Sequence, residues 1–263
     1  MMVSRWDWYQ ATLPDHRPQA VTGALLRAWE LADVVPGRPK NGYEQGANIA
    51  RGDHVLASVW WGNNPGVHVI GTGEDAPTVA AVLQDLGGHR VTRADSCVDW
   101  VQSGLFDRIA YQLADYAATH GITINQQGDW VRGEGRTLYL GARSSPVQLV
   151  VYEKGYESGG DTNWVRAEVR IRPLKAHRER VGHWCPSDAW RASRWLCGAL
   201  EVIGWDRLEP ESIGTVWRPS DTERARRALI QQYGRILASW ADEVGSWEQL
   251  GAELRDKVTD LVS

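Results

Sequence analysis

The chain has 263 residues, which is enough for one large domain or two small ones. Its 43% hydrophobic and 24% charged residues are ordinary for a globular protein, and the formal net charge of −4 excludes a uniformly basic nucleic-acid-binding domain. The charge is uneven, because residues 164–194 contain eight Lys or Arg against three Asp or Glu, whereas residues 241–263 contain two against six. A nucleic acid would therefore meet the first segment and not the second.

Three cysteines occur, Cys97, Cys185 and Cys197, and no two have a Cys-x-x-Cys spacing. Because the number is odd and the spacing irregular, neither a disulfide framework nor a structural zinc site is favoured. No apolar run has the length of a membrane span, and residues 1–10 lack the apolar centre of a signal peptide. The sequence predicts a cytoplasmic protein that does not contact a membrane.

Hydrophobic periodicity predicts both strands and helices over the first 185 residues. In chain order the predicted elements are a strand at 6–8, a helix at 19–33, a hairpin of 55–61 and 67–70, a helix at 76–86, a strand at 91–100, a helix at 105–120, a hairpin of 138–140 and 147–153, and a strand at 165–171. We expect a loop at 63–66 and a turn at 143–146 to join the two hairpins.

Beyond residue 185 the pattern is helical. Ser187 can cap a helix that runs to about Gly204, and the pairs Ser220 with Glu223 and Ser246 with Gln249 match capping boxes. The sequence therefore predicts an α+β fold, with an antiparallel sheet core, flanking helices and a helical C-terminal part. The expected division is an α+β domain at 1–185 and a helical region at 186–263.

Three stretches carry side chains that could perform chemistry. In the first stretch, on the predicted strand at 91–100, the side chains of Arg93, Asp95, Cys97 and Asp99 share one face. Two carboxylates on one strand face repel each other unless a cation or an arginine compensates for them. A polar solvent-facing side of an antiparallel sheet would show the same spacing, and it remains the alternative.

The second stretch is the strand that ends at Glu153, where Gln148, Val150, Tyr152 and Lys154 would share a face. A tyrosine is a weak nucleophile near neutral pH, because its ordinary pKa is about 10. A nearby ammonium group or metal ion would stabilise the phenolate. A half-buried tyrosine with only a packing role is the alternative.

The third stretch alternates cleanly, with Arg166, Glu168, Arg170 and Arg172 on the face opposite Val165, Ala167, Val169 and Ile171. A carboxylate among three guanidinium groups would be strongly ionised, and a row of arginines suits phosphate contacts. The alternative is a ladder of salt bridges between strands.

Four motifs occur in a fixed order: Arg-x-Asp-x-x-x-Asp at 93–99, Thr-Leu-Tyr-Leu-Gly-x-Arg-x-Ser at 137–145, the turn Tyr-Glu-Lys-Gly at 152–155, and the strand motif Arg-x-Glu at 166–168. Their order and spacing resemble those of the replication-initiation-factor family. Its members initiate rolling-circle replication of plasmids, integrative elements and filamentous phages. The resemblance begins weakly at Trp6-Asp7-Trp8 and is strongest from Arg93 to Arg172. We recognise nothing of the family beyond about residue 185.

The resemblance implies a tyrosine that attacks DNA and acidic residues that hold a divalent ion. Tyr152 matches the strand tyrosine, and Tyr156, four residues further on, remains the alternative nucleophile. Asp95 and Asp99 match the paired aspartates of the family, and Glu168 matches the acid of the Arg-x-Glu strand.

Strand geometry limits this metal assignment. Residues four apart on a regular strand are separated by about 13 Å, so Asp95 and Asp99 should not both bind one ion directly. We expect Asp95 and Glu168 to be direct ligands, and Asp99 either to act through another ligand or to be a structural partner. The sequence lacks a His-x-His motif, and carboxylate ligands favour Mg²⁺ or Mn²⁺.

The resemblance thus predicts a metal-dependent nickase that cuts single-stranded or hairpin origin DNA, forms a 5′-phosphotyrosyl intermediate and leaves a 3′-hydroxyl primer. We expect Lys154 to support the chemistry; the expected DNA-binding residues are Arg143, Ser144, Arg166, Arg170 and Arg172. Trp164, Trp184 and Trp190 could stack on bases, although packing within the protein is the alternative.

Partners beyond the DNA follow from the same resemblance and from charge. A host polymerase and helicase would act after the nick. Arg224, Arg226 and Arg227 could recognise duplex DNA, and the acidic C-terminal end could form a homodimer or contact the helicase. Three other functional classes stay open: a non-catalytic DNA-binding regulator, a nuclease that hydrolyses DNA at a carboxylate-bound metal, and a tryptophan-rich surface that binds sugars or protein.

Overall fold

The computed structural model describes residues 3–214 and 221–262. The strands are β1 (Arg5–Leu13), β2 (Asp33–Pro36), β3 (Gln45–Arg51), β4 (His54–Gly62), β5 (Asn64–Thr72), β6 (Arg90–Val101), β7 (Ile124–Asp129), β8 (Glu134–Leu140), β9 (Val147–Glu153) and β10 (Trp164–Ile171). The helices are α1 (Pro18–Leu26), α2 (Ala76–Leu86), α3 (Leu105–Thr119), α4 (Lys154–Ser158), α5 (Arg178–Gly182), α6 (Arg194–Val202), α7 (Asp221–Val244) and α8 (Trp247–Val262).

All ten strands join in one antiparallel sheet, in the order β2-β3-β4-β5-β1-β6-β10-β9-β8-β7. The predicted α+β class, with an antiparallel sheet core and flanking helices, is confirmed. The core strands β1 and β6 lie at the centre of the sheet.

The two halves of the sheet repeat one connectivity. In the first half the chain runs from central β1 through α1 to edge strand β2 and returns strand by strand to β5. In the second half it runs from central β6 through α3 to edge strand β7 and returns to β10. The helices correspond as well, because α1 contacts β2, β3 and β4 as α3 contacts β7, β8 and β9. No internal repeat is visible in the sequence, so the repetition is one of topology.

One face of the sheet carries the helices and the hydrophobic core. α2 packs on β1 and β5, α5 packs on β6, and α3 packs on β8 and β9. The residues of β10 that point to this face, Val165, Ala167, Val169 and Ile171, are buried, as their alternation predicts. The indole of Trp190 donates a hydrogen bond to Ser96 Oγ at 2.9 Å on the same side. The polar side chains of the central strands therefore gather on the opposite face.

Several predicted elements agree closely with the structure, among them α2, α3, β6, β9 and β10. The helix predicted at 19–33 is shorter, since α1 ends at Leu26 and Asp33–Pro36 pairs with β3 as an edge strand. The loop predicted at 63–66 is a tight turn at Asn63, whose φ is 65°, because β5 begins at Asn64. The short edge strands β2 and β7, and β3, were not predicted.

The capping predictions have mixed outcomes. Ser187 does not cap a long helix, because residues 186–191 form a 3-10 helix after Cys185. α6 begins later, where Ser193 Oγ accepts a hydrogen bond from the Leu196 amide. The Ser246 cap is confirmed, since its Oγ accepts from the Gln249 amide at 3.1 Å. Ser220 lies outside the described residues, as does the side chain of Glu223.

Contacts divide the chain into two compact units, 1–216 and 217–263. The first contains the whole sheet together with α1 to α6, and the second contains α7 and α8, which contact each other. No helix among the described residues is long and apolar enough to cross a membrane.

Gly155 occupies a position that only glycine can fill without rearrangement. It lies in α4, which reverses the chain between β9 and β10 and begins two residues after Tyr152. A Cβ at Gly155 would overlap the backbone carbonyl of Asp161. The approach of the two backbone segments therefore fixes where β9 ends.

We expect Gly155→Ala to lower the free energy of unfolding by ~1–3 kcal/mol, because the added methyl group must displace backbone. The matched control is Gly23→Ala in α1, where the nearest atom to a new Cβ is Arg27 Nη1 at 3.6 Å. That helical substitution should raise stability by about 0.5–1 kcal/mol. Thermal unfolding of both variants measures the difference, and equal stabilities would show that the turn accommodates a side chain.

Candidate active site

The polar face of β6, β10 and β9 brings the predicted site residues into neighbouring rows. In one row Asp99, Arg166 and Tyr152 are paired across the three strands. In the next row Glu168 lies between Cys97 and Val150. Because paired residues of adjacent strands point to the same face, the three motifs of the sequence meet in one patch.

Arg166 is the centre of the first row. Its Nε donates to Asp99 Oδ1 at 2.7 Å, its Nη2 donates to Asp99 Oδ2 at 3.1 Å, and its Nη1 donates to Asp7 Oδ1 at 2.9 Å. Asp99 also accepts from Arg5 Nη1 at 2.7 Å and from the Trp164 indole at 2.8 Å. Both carboxylate oxygens of Asp99 are thus occupied, which supports a structural role and not direct metal binding.

These contacts determine the protonation of Asp99. Burial alone raises the pKa of its carboxyl group, but the hydrogen bonds from Arg166, Arg5 and Trp164 outweigh burial and lower that pKa below its ordinary value. Arg166 is 4% exposed, so its charge depends on these carboxylates.

Glu168 and Asp95 lie in the next rows and are both almost fully buried. Arg170 Nε donates to Glu168 Oε1 at 2.6 Å, while both oxygens of Asp95 accept from Arg93. Burial, together with the charge of Asp95, raises the pKa of Glu168 above its ordinary value, although Arg170 opposes this. Arginine thus binds both carboxylate oxygens of Asp95 but only Oε1 of Glu168. The Oε2 atom of Glu168 is left for another partner.

That second oxygen meets the predicted nucleophile. The Tyr152 hydroxyl donates to Glu168 Oε2 at 3.5 Å. Burial, and then the negative charge of Glu168, raise the pKa of Tyr152 above its ordinary value. In the absence of a cation the phenol therefore stays protonated at neutral pH, with a carboxylate beside it that can accept its proton.

Tyr152, Tyr156 and Lys154 all lie at one end of this patch. An open groove of 390 Å³ is lined by Tyr152 and Tyr156, together with Tyr139, Glu157 and Arg170. Tyr156 is 42% exposed and belongs to α4, whereas Tyr152 is half-buried on β9. Lys154 begins α4 and does not continue the strand as expected, but its Nζ still lies 5.7 Å from the centre of the Tyr152 ring. Both tyrosines can reach a ligand in the groove.

Asp7 belongs to this patch, and the sequence did not identify it as a site residue. β1 has an irregular register between Trp6 and Trp8, so Asp7 occupies a bulge next to Ser96 and Asp95. Its Oδ1 accepts from Arg166 and lies 3.9 Å from Cys97 Sγ. The Trp6-Asp7-Trp8 segment was the weakest part of the family resemblance, and regular alternation would not have predicted this contact.

A divalent ion fits the chemistry of Glu168 and Asp7 better than that of the paired aspartates. Within residues 3–214 and 221–262, no group of three His, Cys, Asp or Glu side chains could hold a metal by themselves. Mg²⁺, however, is commonly held by one or two carboxylates plus substrate phosphate and water. Among the described residues, neither Glu168 Oε2 nor Asp7 Oδ2 accepts a hydrogen bond from an arginine or a lysine. The donor set is consistent with a hard cation that the substrate helps to bind.

The predicted DNA-binding residues separate into two groups. Arg166 forms salt bridges with Asp99 and Asp7. The other arginines of the set, Arg143, Arg170 and Arg172, line a second cavity of 650 Å³. Ser144 is exposed in the turn that follows Arg143. Trp184 and Trp190 are buried, which supports packing for them. Of the tail cluster, Arg226 is exposed, while the side chains of Arg224 and Arg227 lie outside the described residues.

The chain was compared with protein families, with solved structures and with curated proteins. Residues 91–181 match the family model described as replication initiation factor. The fold is similar to the structure of a rolling circle replication initiator protein from Geobacillus stearothermophilus, with a TM-score of 0.51 and 25% identity over 67% of this chain and 77% of that chain. No curated protein matches the chain. The family-model segment includes β6 and β10, with Asp95, Asp99, Tyr152 and Glu168, but not Asp7.

We expect Asp99→Asn to lower the free energy of unfolding by about 1–3 kcal/mol at pH 7, because Arg166 loses two charged hydrogen bonds while buried. The folded-state pKa of Asp99 is depressed, so its stabilisation is complete above the unfolded carboxyl pKa of about 4 and is lost as the pH falls through the lower folded value. The deficit of the variant should therefore shrink in acid. Urea unfolding at a series of pH values measures it.

The matched control for this experiment is Asp107→Asn. Asp107 also accepts from an arginine, Arg136, at 2.6 Å, but its side chain is 67% exposed and Arg136 keeps Glu153. Its substitution should change stability by less than ~1 kcal/mol. A deficit of Asp99→Asn that is independent of pH would contradict the role given to its charge.

Proposed function

From the match of residues 91–181 to the replication initiation factor family, we propose that the protein is a rolling-circle initiator that nicks single-stranded or hairpin origin DNA through Tyr152. The observation that carries the proposal is the Tyr152 hydroxyl, which lies 3.5 Å from a buried carboxylate and faces an open groove on the polar side of the sheet. The rolling-circle initiator with the similar fold supports the substrate class.

In the proposed reaction the Tyr152 oxygen attacks the scissile phosphorus in line, and the bond from phosphorus to the 3′ oxygen breaks. The phenolic proton passes to Glu168, and the departing 3′ oxygen takes a proton from a water molecule to become a hydroxyl group. The hydroxide formed in this way takes the proton that Glu168 holds, which restores the carboxylate. The products are a 5′-phosphotyrosyl protein and a free 3′-hydroxyl, so atoms and charge balance. A polymerase of the host could extend that hydroxyl.

Glu168 and Asp7 are the residues we propose for Mg²⁺ or Mn²⁺, in place of the expected pair of Glu168 and Asp95. When bound, the ion would supply positive charge for the phenolate and for the scissile phosphate. Lys154 adds a cation beside the Tyr152 ring, although its Nζ also pairs with Glu157 at 2.7 Å. Asp99 holds Arg166, which in turn positions Asp7. The helicase contact and the homodimer stay predictions.

We expect wild-type protein mixed with end-labelled single-stranded origin DNA and Mn²⁺ to form an adduct that survives SDS and is removed by protease. Tyr152→Phe should abolish the adduct, because it removes the attacking oxygen while keeping the ring. Tyr156→Phe is the matched control in the same groove and should retain it. An adduct that is lost in Tyr156→Phe but kept in Tyr152→Phe would move the nucleophile to α4.

Two further results of that experiment separate the competing functions. Cleavage without an adduct would favour a hydrolytic nuclease with a carboxylate-bound metal. Specific binding of the origin with neither cleavage nor adduct would favour a non-catalytic regulator on this fold.

Glu168→Gln should lower the rate of adduct formation by about 100-fold, because it removes the proton acceptor. In the wild type the rate should rise with pH as Glu168 ionises, because only the carboxylate form accepts the phenolic proton and binds the ion. The rise should be absent in the variant. Single-turnover rates from pH 4 upward check this.

Asp7→Asn should raise the Mn²⁺ concentration needed for half-maximal adduct formation by about tenfold, because it removes one proposed ligand. Asp107→Asn is the control, because Asp107 is an exposed acid on α3 that is not a proposed ligand of the ion. It should leave the required Mn²⁺ concentration unchanged. An unchanged metal requirement in Asp7→Asn would exclude Asp7 as a ligand.

A further inference from the structure

The second cavity on the polar face has a basic lining. We call it the arginine pocket, and define it by Arg93, Arg143, Arg170 and Arg172. Its volume is 650 Å³, and Asn125 and Gln127 on β7 are also among its lining residues. No Asp or Glu of the described chain is among its lining residues.

Charge is not balanced within the arginine pocket. Arg93 is paired with Asp95, and Arg170 is paired with Glu168. Arg143 and Arg172 form no salt bridge with a carboxylate in the described part of the chain. Two guanidinium groups thus share one cavity without a salt bridge to a carboxylate of the described residues.

Arg172 is also incompletely hydrogen-bonded. Its Nη1 is buried and has no hydrogen-bond partner among the described residues. Burial, and then the positive charge of Arg93, lower the pKa of Arg172; the negative charge of Asp95 opposes this, and Arg170 and Arg143 lower the pKa further. A buried guanidinium donor without a partner is costly, and an anionic oxygen in the cavity would satisfy it.

The arginine pocket adjoins the groove that holds Tyr152. Tyr139 and Arg170 line both cavities, so one extended ligand could pass from one to the other. Glu168 and Arg172 are four residues apart, which places them about 13 Å from each other along β10. One phosphate group cannot contact both, but two phosphates of one strand can.

We infer that the arginine pocket binds a backbone phosphate of single-stranded DNA, distinct from the phosphate that Tyr152 attacks. This inference rests on the proposed function, because it places the same strand in both cavities. Arg172 and Arg143 supply the free donors, and Arg93 and Arg170 are held in place by their carboxylates. A phosphate anchored there fixes the position of the strand along the sheet relative to Tyr152.

The test uses protein that carries Tyr152→Phe and a fluorescent single-stranded oligonucleotide. It measures their binding constant K at a series of salt concentrations. Since no cleavage is needed, failure of the proposed chemistry does not affect this measurement. Arg172→Gln and Arg143→Gln should each weaken binding by about tenfold. Each should also reduce the slope of log K against log salt by about 0.7, the value for one lost phosphate contact on a single strand.

Arg51→Gln is the matched control, because Arg51 is exposed at the end of β3 and its loss changes the net charge equally. It should leave both the affinity and the slope unchanged. Binding by Arg172→Gln and Arg143→Gln that equals binding by the Arg51 variant would overturn the inference. Circular dichroism checks folding, and the exposed Arg143 decides the outcome if the Arg172 variant does not fold.

Inorganic phosphate distinguishes a free anion from a DNA strand. If phosphate raises the thermal stability of the wild type while both variants bind DNA normally, the pocket serves a free anion and the inference fails. If phosphate competes with DNA in the wild type and competes less in Arg172→Gln, the pocket holds a DNA phosphate.

Discussion

A guanidinium group buried in the middle of the sheet, that of Arg166, connects the strands that form the candidate site. It binds Asp99 on β6 and Asp7 on β1, while its own backbone pairs with Tyr152 on β9. A buried charge of this kind is tolerated only when its donors are satisfied. The relative positions of β1, β6, β10 and β9 on the polar face therefore depend on this one network. Tyr152 and Glu168 are placed by their register to Arg166.

The polar face is divided by charge. Asp7, Asp95 and Glu168 lie at its centre, and their mutual repulsion is offset by Arg166, Arg93 and Arg170. At one side the balance changes, because Arg143 and Arg172 form no salt bridge with an acid among the described residues. This local separation makes an overall charge of −4 compatible with the proposed function. In that proposal the acidic centre would hold the cation, and the basic side would bind the DNA strand.

The two half-sheets share one connectivity but carry different side chains, so the backbone topology alone does not specify the candidate site. In the first half, β4, β5 and β1 carry Trp60, His68 and Thr12 in one row of paired residues. His68 is buried, which lowers its pKa to about 4, and its ring stacks on Tyr43. The corresponding strands of the second half carry carboxylates, arginines and tyrosines. The same topology thus supports an aromatic cluster on one side and the charged candidate site on the other.

By itself, the sequence determined the fold class, most elements of the second half-sheet and the residues on the polar face of β10. Alternation of side chains along a strand is a local property, so Arg166, Glu168 and Arg170 could be placed on one face without the fold. The order of the motifs also indicated the family that the comparisons support. The separation of Asp95 and Asp99 followed from the rise per residue.

Only the tertiary structure decided which charges are paired. The sequence could not reveal that both oxygens of Asp99 accept hydrogen bonds from Arg166, Arg5 and Trp164. Nor could it reveal that Arg93 donates to both oxygens of Asp95. Asp7 was missed because a β-bulge interrupts the alternation of β1, and a bulge depends on the partner strand. The shortened α1 and the edge strand β2 have a similar cause, since β2 exists only by pairing with β3. Pairing between distant segments depends on register and bulges, which no local pattern of residues specifies.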